Sequence, residues 1–255
     1  MIAKTEAIVL KSFDYRETSR IATFFTREYG KVSGVLKGIR KDPKKFGSSV
    51  ASFSINDIVY YRYRNSDLHL ISQCDLREFY FPIQQDLKRG MAASYVAELV
   101  TKIMPAEEAN ARIYRVMKHF FSALKDSSDI NRLVHIFQIK TLLFSGFRPH
   151  LDACLKCKKT ISGKALFSMK EGGLVCAHCH TTDTNIYSIS QGTIAAILYI
   201  EKNRWENCLR LKLTEINKGE LKHILNNFLV YHLGRRIRSA KYLEGIEKGG
   251  KRFSR

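Results

Sequence analysis

Hydrophobic positions along the chain change their period near residue 80. Before it, short runs of apolar and β-branched residues are separated by turn residues. Ala7-Ile8-Val9-Leu10, Ile21 to Thr26 and Val32 to Leu36 read as strands, with Tyr29-Gly30 marking a turn between the last two. Ile58 to Tyr63 and Leu68 to Ser72 read as a hairpin across Arg64-Asn65-Ser66-Asp67, where Asn65 and Asp67 suit a tight turn. Five short strands in roughly eighty residues predict a small closed or nearly closed β-barrel. Periodicity alone does not separate an OB barrel from an SH3-like one.

From Pro82 the spacing turns helical. Met91, Tyr95, Leu99 and Lys102-Ile103 follow one stripe, which Pro105 ends. Glu107-Glu108 are expected in the first turn of the next helix, where carboxylates suit the helix dipole. Its stripe is Ile113, Val116-Met117, Phe120-Phe121 and Leu124. Asp126 to Asp129 forms a break and cap, and Ile130 to Phe144 a third helix stopped by Gly146 and Pro149. Further on, Ser190 is placed as the cap of a helix over Thr193 to Ile200. Leu221 to about Leu243 is expected to be a long helix carrying Arg235, Arg236, Arg238 and Lys241 in its second half. These stripes read as core, because no ligand-spaced His or acidic pair lies on them.

Between the helices stand Cys154-Leu155-Lys156-Cys157 and Cys176-Ala177-His178-Cys179. Two Cys-x-x-Cys turns with eighteen residues between them match the four-cysteine zinc ribbon. Each tight turn aims two sulfurs at one ion, and two turns fill a tetrahedral shell with no open position, so the site is structural rather than catalytic. Gly163 and Gly172-Gly173 fall where short hairpin turns are needed. Paired disulfides and metal-free thiols are the alternatives. His178 and His180 read as solvated hairpin residues, and Cys74 and Cys208 as small buried hydrophobes.

Charge then narrows the function. The 255 residues carry a formal net charge of +19, which predicts a polyanionic partner, nucleic acid first and an anionic membrane surface second. The loop Lys37-Gly38-Ile39-Arg40-Lys41-Asp42-Pro43-Lys44-Lys45-Phe46-Gly47 holds five basic residues against one Asp. Such cations neutralise phosphates and release condensed counterions. Tyr15, Phe46, Phe53, Tyr60, Tyr61 and Tyr63 lie nearby and offer faces for unpaired bases. Alternation puts Tyr61 and Tyr63 on one face and Tyr60 on the other, so one set must be core. The charged N-terminus does not read as a secretory signal, and Tyr187 to Ile200 is too short and polar to span a bilayer, so a soluble protein of a reducing compartment is expected. Three enzymatic signatures are missing: Gly-x-x-x-x-Gly-Lys-Ser/Thr, His-Glu-x-x-His, and the deaminase His-x-Glu with Pro-Cys-x-x-Cys. A zinc-ribbon nucleic-acid-processing enzyme and a basic protein-interaction scaffold remain as the competing readings.

Ala7-Ile8-Val9-Leu10-Lys11 with Asp14-Tyr15-Arg16-Glu17-Thr18-Ser19-Arg20-Ile21 resembles the opening of the RecO recombination-mediator family. Thr26-Arg27-Glu28-Tyr29-Gly30-Lys31 and Lys37-Gly38-Ile39-Arg40 continue the likeness. So do Gly146-Phe147-Arg148-Pro149-His150-Leu151-Asp152-Ala153-Cys154 and Tyr231-His232-Leu233-Gly234-Arg235-Arg236 with Ser239. The resemblance implies an α+β multidomain chain: an N-terminal five-stranded OB-fold barrel, then an α-helical domain with an inserted four-cysteine zinc ribbon. The expected boundaries are 1–80 for the barrel, 81–150 and 186–245 for the two parts of the helical domain, 151–185 for the ribbon, and 246–255 for a basic flexible tail. It further implies a bacterial cytoplasmic, non-enzymatic protein that binds single- and double-stranded DNA and anneals complementary strands. Its partners would be RecR, RecF, the C-terminal tail of single-stranded DNA-binding protein and, indirectly, RecA, with no membrane role. Expected phosphate contacts are Lys37, Arg40, Lys41, Lys44 and Lys45, with Arg16 and Arg20 as secondary candidates. Zn²⁺ is expected on Cys154, Cys157, Cys176 and Cys179.

Overall fold

Strand β1 (Ile2–Tyr15) is fourteen residues long because it serves two partners. Its first half pairs antiparallel with β4 (Ile55–Tyr61), from Ile2↔Tyr61 to Ile8↔Ile55. Its second half pairs with β2 (Ser19–Thr26), from Ala7↔Thr26 to Tyr15↔Ser19, with a bulge between Val9 and Lys11. Strand β3 (Gly30–Leu36) continues from β2, and β5 (Leu68–Glu78) lies between β3 and β4. The barrel closes in the order β1-β2-β3-β5-β4, with β3 and β5 parallel and every other pair antiparallel. That order and that single parallel pair make it an OB barrel, which resolves the choice periodicity left open. The computed structural model describes residues 1–42, 46, 50–161, 163, 165–179, 185–234 and 236–241. Two compact units result, one of Met1–Ser127 with the segment that begins at Ile237, the other of Ser128–Arg236.

Alternation builds the barrel interior. In β3, Val32 and Leu36 point inward while Lys31, Ser33 and Val35 are half-exposed. Phe24, Ile58, Tyr60, Ile71 and Cys74 complete the packing. Near the handover from β4 to β2 the strands are buried on both faces. Ile8 and Phe25 are register partners, both inaccessible to solvent, and the Tyr114 ring lies 6.3 Å from that of Phe25. This explains why Ala7 to Leu10 reads as a continuous apolar run.

In the same unit, α1 (Phe81–Gln85), α2 (Leu87–Ile103) and α3 (Ala111–Leu124) follow the barrel. Lys31 reaches from β3 to the end of α2, donating to the carbonyls of Thr101 at 2.7 Å and Met104 at 2.9 Å. A cation there answers unpaired carbonyls at a helix C-terminus. Glu6 on β1 accepts from Tyr114 Oη at 3.0 Å and Lys118 Nζ at 3.1 Å, both on α3. The expectation for Glu107-Glu108 is corrected. The cap of α3 is Asn110, whose side chain accepts from Ile113 N at 3.1 Å. Glu107 instead occupies a left-handed turn (φ 56°) and receives Arg62 and His69, the latter at 2.8 Å. Asn outranks Glu as a cap because its short side chain reaches the free N–H groups.

The second unit is arranged on α4 (Ile130–Phe144), capped by Asp129 and buried from Leu133 through Leu142. Two of its buried polar side chains are partnered: Gln138 donates to Asn226 at 3.1 Å, and Lys140 donates to the carbonyls of Glu201 and Asn203 at 3.2 and 2.5 Å. Those carbonyls end α5 (Gln191–Lys202), which begins, as expected, on the Ser190 cap. The short α6 (Trp205–Cys208) follows. The long last helix is displaced from expectation. Helix α7 spans Glu215–Leu233, starting on a Thr214/Asn217 capping box and ending on Gly234 at φ 62°. Glycine in the left-handed region stops a helix, so Arg236, Arg238 and Lys241 lie beyond it. Arg235 and the basic tail lie outside the described residues.

Two outcomes follow from these contacts. Gly30 adopts φ +66°, and a Cβ there would stand 2.1 Å from the Glu108 carbonyl oxygen; Gly38 adopts φ +77° with open space around it. Gly38→Ala is expected to cost about 1–2 kcal/mol from backbone strain alone, and Gly30→Ala clearly more, read as the difference in urea midpoints at constant m. The second concerns Glu98 on α2. Burial opposes its ionisation, but Lys102, the Ser239 hydroxyl and N–H, and the Arg238 N–H outweigh burial and hold the carboxyl at about 2, against an ordinary 4.5. A lowered folded-state pKa stabilises fully above the unfolded value, and the gain fades as pH falls through the folded one. Stability should therefore drop from about pH 4.5 toward pH 2, and Glu98→Gln should flatten that limb in midpoints taken across the range.

Candidate nucleic-acid interface and metal centre

Five of the basic residues expected to contact phosphate, Arg16, Arg20, Lys37, Arg40 and Lys41, lie at one end of the barrel. Past Val9 the outer half of β1 pairs with β2, and together they carry the turn Arg16-Glu17-Thr18. Arg16 takes a left-handed conformation (φ 53°), with its guanidinium 5.2 Å from the centre of the Tyr15 ring. After β3 the chain makes a turn over residues 37–41. Arg40 binds this turn to the first one: its N–H donates to the Thr18 carbonyl at 3.0 Å, and its guanidinium to the Arg16 carbonyl at 3.3 Å. Arg16, Arg20, Lys37, Arg40 and Lys41 thus share a surface; Arg20 is half-buried and the other four are exposed. Lys44 and Lys45 lie outside the described residues. Phe46 belongs to the core.

An acidic side chain that sequence reasoning passed over sits inside this cluster. Asp14 pairs with Arg20 Nε at 2.8 Å and with Arg40 Nε at 3.5 Å. The turn between β1 and β2 makes Asp14 and Arg20 direct cross-strand partners, so strand register was the signal for that half of the arrangement. The aromatic question also resolves. Tyr60 is core at 1% exposure, while Tyr61 and Tyr63 are 42% and 48% exposed. Tyr63 helps line an open cleft of about 560 Å³ with Met1, Arg62, Arg64 and Glu107.

In the second unit, β6 (Ala165–Ser168) is flanked by β7 (Gly173–Val175) and β8 (Ile186–Ile189) in a three-stranded sheet. The second cysteine turn leaves β7 directly, and the first is held beside it: Leu155 N–H donates to the Leu174 carbonyl and Leu174 N–H to that of His150, both at 2.9 Å. Gly173 makes this approach feasible, since a Cβ there would lie 2.2 Å from the His150 oxygen. The four sulfurs of Cys154, Cys157, Cys176 and Cys179 lie within 4.8 Å of one another. Cys157 and Cys176 are separated by 3.8 Å. All six cysteines are unbridged in the structure. A tetrahedral ion with metal–sulfur bonds of about 2.3 Å places its sulfurs about 3.8 Å apart, so the set fits a metal.

Electrostatics point the same way. Burial opposes ionisation of Cys154, but the backbone groups of Cys157, Cys176 and Lys156 outweigh it and bring the thiol down to about 6. Hydrogen bonding with the Cys176 and Cys157 sulfurs pushes Cys179 up to about 12. Four crowded thiolates need a cation to coexist, and these four residues could hold a metal ion with no position left for substrate. His178 is exposed, and His180 lies outside the described residues. Cys154→Ser should lower the metal content of purified protein and reduce Tm by roughly 10 °C, because a structural metal contributes folding free energy directly. Elemental analysis and a melting curve check both.

Comparison with known proteins covers almost the whole chain. Residues 1–80 match the family described as Recombination protein O N terminal, and residues 84–241 match Recombination protein O C terminal. A DNA repair protein RecO of Thermoanaerobacter sp. (strain X514) is 31% identical over 248 residues, covering 96% of this chain and 98% of that protein. The DNA repair protein RecO of Desulforamulus reducens is 31% identical over 252 residues, covering 97% and 96%. That of Alkaliphilus metalliredigens is 29% identical over 236 residues, covering 92% and 95%. With both halves matched in order on an OB barrel, a helical region and a four-cysteine cluster, the chain belongs to the RecO family of DNA repair proteins.

Proposed function

We propose that this chain is a non-enzymatic recombination mediator. It binds single- and double-stranded DNA, anneals complementary strands and, with RecR and with RecF as an optional partner, helps load RecA onto single strands coated by single-stranded DNA-binding protein. The observation that carries the reading is the convergence of Arg16, Arg20, Lys37, Arg40 and Lys41 at one end of an OB barrel. Lys44 and Lys45 extend the same loop in sequence. Contacts of this kind engage phosphates and carry little sequence information. Annealing needs no covalent step. Screening the phosphates of two strands lowers their repulsion and leaves base edges free to pair. Tyr61 and Tyr63, exposed on β4 and just beyond it, are suited to stack on unpaired bases.

Zn²⁺ is the ion proposed for Cys154, Cys157, Cys176 and Cys179, with a structural role only. The acidic, partly apolar tail of single-stranded DNA-binding protein is the proposed peptide partner, received by the helical domain. The setting is the bacterial cytoplasm, at the nucleoid during gap and break repair. Among the described residues no helix is long and apolar enough to cross a membrane.

The test is annealing of complementary oligonucleotides, one precoated with single-stranded DNA-binding protein, across a salt series and without nucleotide. Acceleration by this chain alone is expected. In Lys37→Gln/Arg40→Gln/Lys41→Gln, affinity should fall, and the slope of log K against log salt should shrink by about 0.7 for each lost single-strand contact. Wild-type affinity and slope in that variant would remove the barrel end from the function.

A further inference from the structure

Asp14 stands where two guanidinium groups converge from different elements. Arg20 comes from the facing strand and Arg40 from the turn after β3, and each takes one oxygen of the carboxylate, at 2.8 and 3.5 Å. Arg40 meets the acid through Nε, while its Nη1 donates to the Arg16 carbonyl at 3.3 Å. Carboxylate and phosphate oxygens accept from a guanidinium N–H in the same way.

We propose that Asp14 is an internal counter-ion, occupying the phosphate position of the basic barrel end until a DNA strand displaces it. The proposal rests on the reading of that end as the DNA surface. The carboxylate is 53% exposed, and its partners are 37% and 44% exposed, so the pairs are solvated and weak. A run of phosphates, whose binding releases counterions, displaces it readily. Being tethered, the carboxylate returns as soon as a phosphate lifts away, like a competitor present at an effective concentration of about millimolar. It therefore limits the grip and speeds release. A protein that hands a strand on to a complement needs that release. Were Asp14 instead a positioning residue that aims the guanidiniums at phosphate, losing it would weaken binding.

The opposite signs make the test decisive. Fluorescence-anisotropy titrations of the full chain with labelled single-stranded oligothymidine, over a salt series, would compare wild type, Asp14→Asn and Asp126→Asn. Asp126 is an exposed acid in the turn after α3, 3.8 Å from Lys125, and serves as the charge control. Asp14→Asn should bind about 3–10-fold more tightly at low salt, steepen the log–log salt slope by about 0.7–1.4, and dissociate more slowly in stopped flow. Asp126→Asn should change affinity less than about twofold. The gain from Asp14→Asn should disappear in an Arg20→Gln/Arg40→Gln background, the signature of a coupled set. Weaker or unchanged binding by Asp14→Asn, an equal gain from Asp126→Asn, or a gain that survives without the two arginines overturns the counter-ion role. If Lys37→Gln/Arg40→Gln/Lys41→Gln binds as wild type does, the DNA surface itself has been misplaced. If that variant is weakened while Asp14→Asn has no effect, only the counter-ion role falls.

Discussion

Closure of the barrel by one strand with two partners is the constraint on which the rest of the first unit depends. A five-stranded sheet left open would present edges; β1 removes them by pairing first with β4 and then with β2. The transfer happens around Ala7 to Leu10, where burial is complete on both faces and the register with β2 slips by a bulge. Beyond that point, from Lys11 to Tyr15, the strand pairs only with β2 and its side chains turn outward or half outward. The end that carries Asp14, Arg16 and Arg20 therefore exists because β1 outlasts its pairing with β4. A shorter β1 would close the same barrel and present no such surface.

Net charge overstates what is free to meet a polyanion. Lys31 and Lys140 are spent inside the fold on the last carbonyls of α2 and α5. Burial lowers the pKa of both, first among the causes, and carbonyl partners are what allow an ammonium to stay there. Arg62 is held by Glu107, and Lys118 by Glu6 and Glu78. At the barrel end Arg16, Lys37, Arg40 and Lys41 are exposed, and the Asp14 carboxylate is shared between Arg20 and Arg40. Exposure makes each pair weak, and weakness is what a reversible phosphate contact requires.

The cysteine cluster has a different logic. Strands of three and four residues cannot build a core of their own, and a metal supplies the missing cohesion in such small elements. Backbone donors already favour a thiolate at Cys154, so part of the electrostatic preparation is made by the turn itself. Nothing in this arrangement leaves a coordination position for chemistry. The cysteine cluster and the basic barrel end are built by separate pieces of chain.

Sequence by itself determined the features set by near neighbours. Alternation identified the strands and put Tyr60 opposite Tyr61 and Tyr63; the Cys-x-x-Cys spacing defined the sulfur quartet; Asp129 and Ser190 marked helix starts, because a cap acts within one turn. The loop charge raised the expectation of phosphate contacts at Lys37, Arg40, Lys41, Lys44 and Lys45, the last two outside the described residues. Tertiary structure decided what depends on residues distant in the chain. The parallel contact of β3 with β5, which makes the barrel an OB barrel, joins Ser33 to Leu68 and leaves no local trace. Glu107 looked like a helix-start acid and became the partner of Arg62 and His69, about forty residues away in sequence, because barrel closure brings them together. The last helix stopped at Gly234 although apolar spacing ran on to Ile237, since a left-handed glycine overrides periodicity. Asp14 was visible as a residue, and its place opposite Arg20 followed from the turn. Its role depended on Arg40 arriving from another strand's end, and only the folded register could bring those charges to one point.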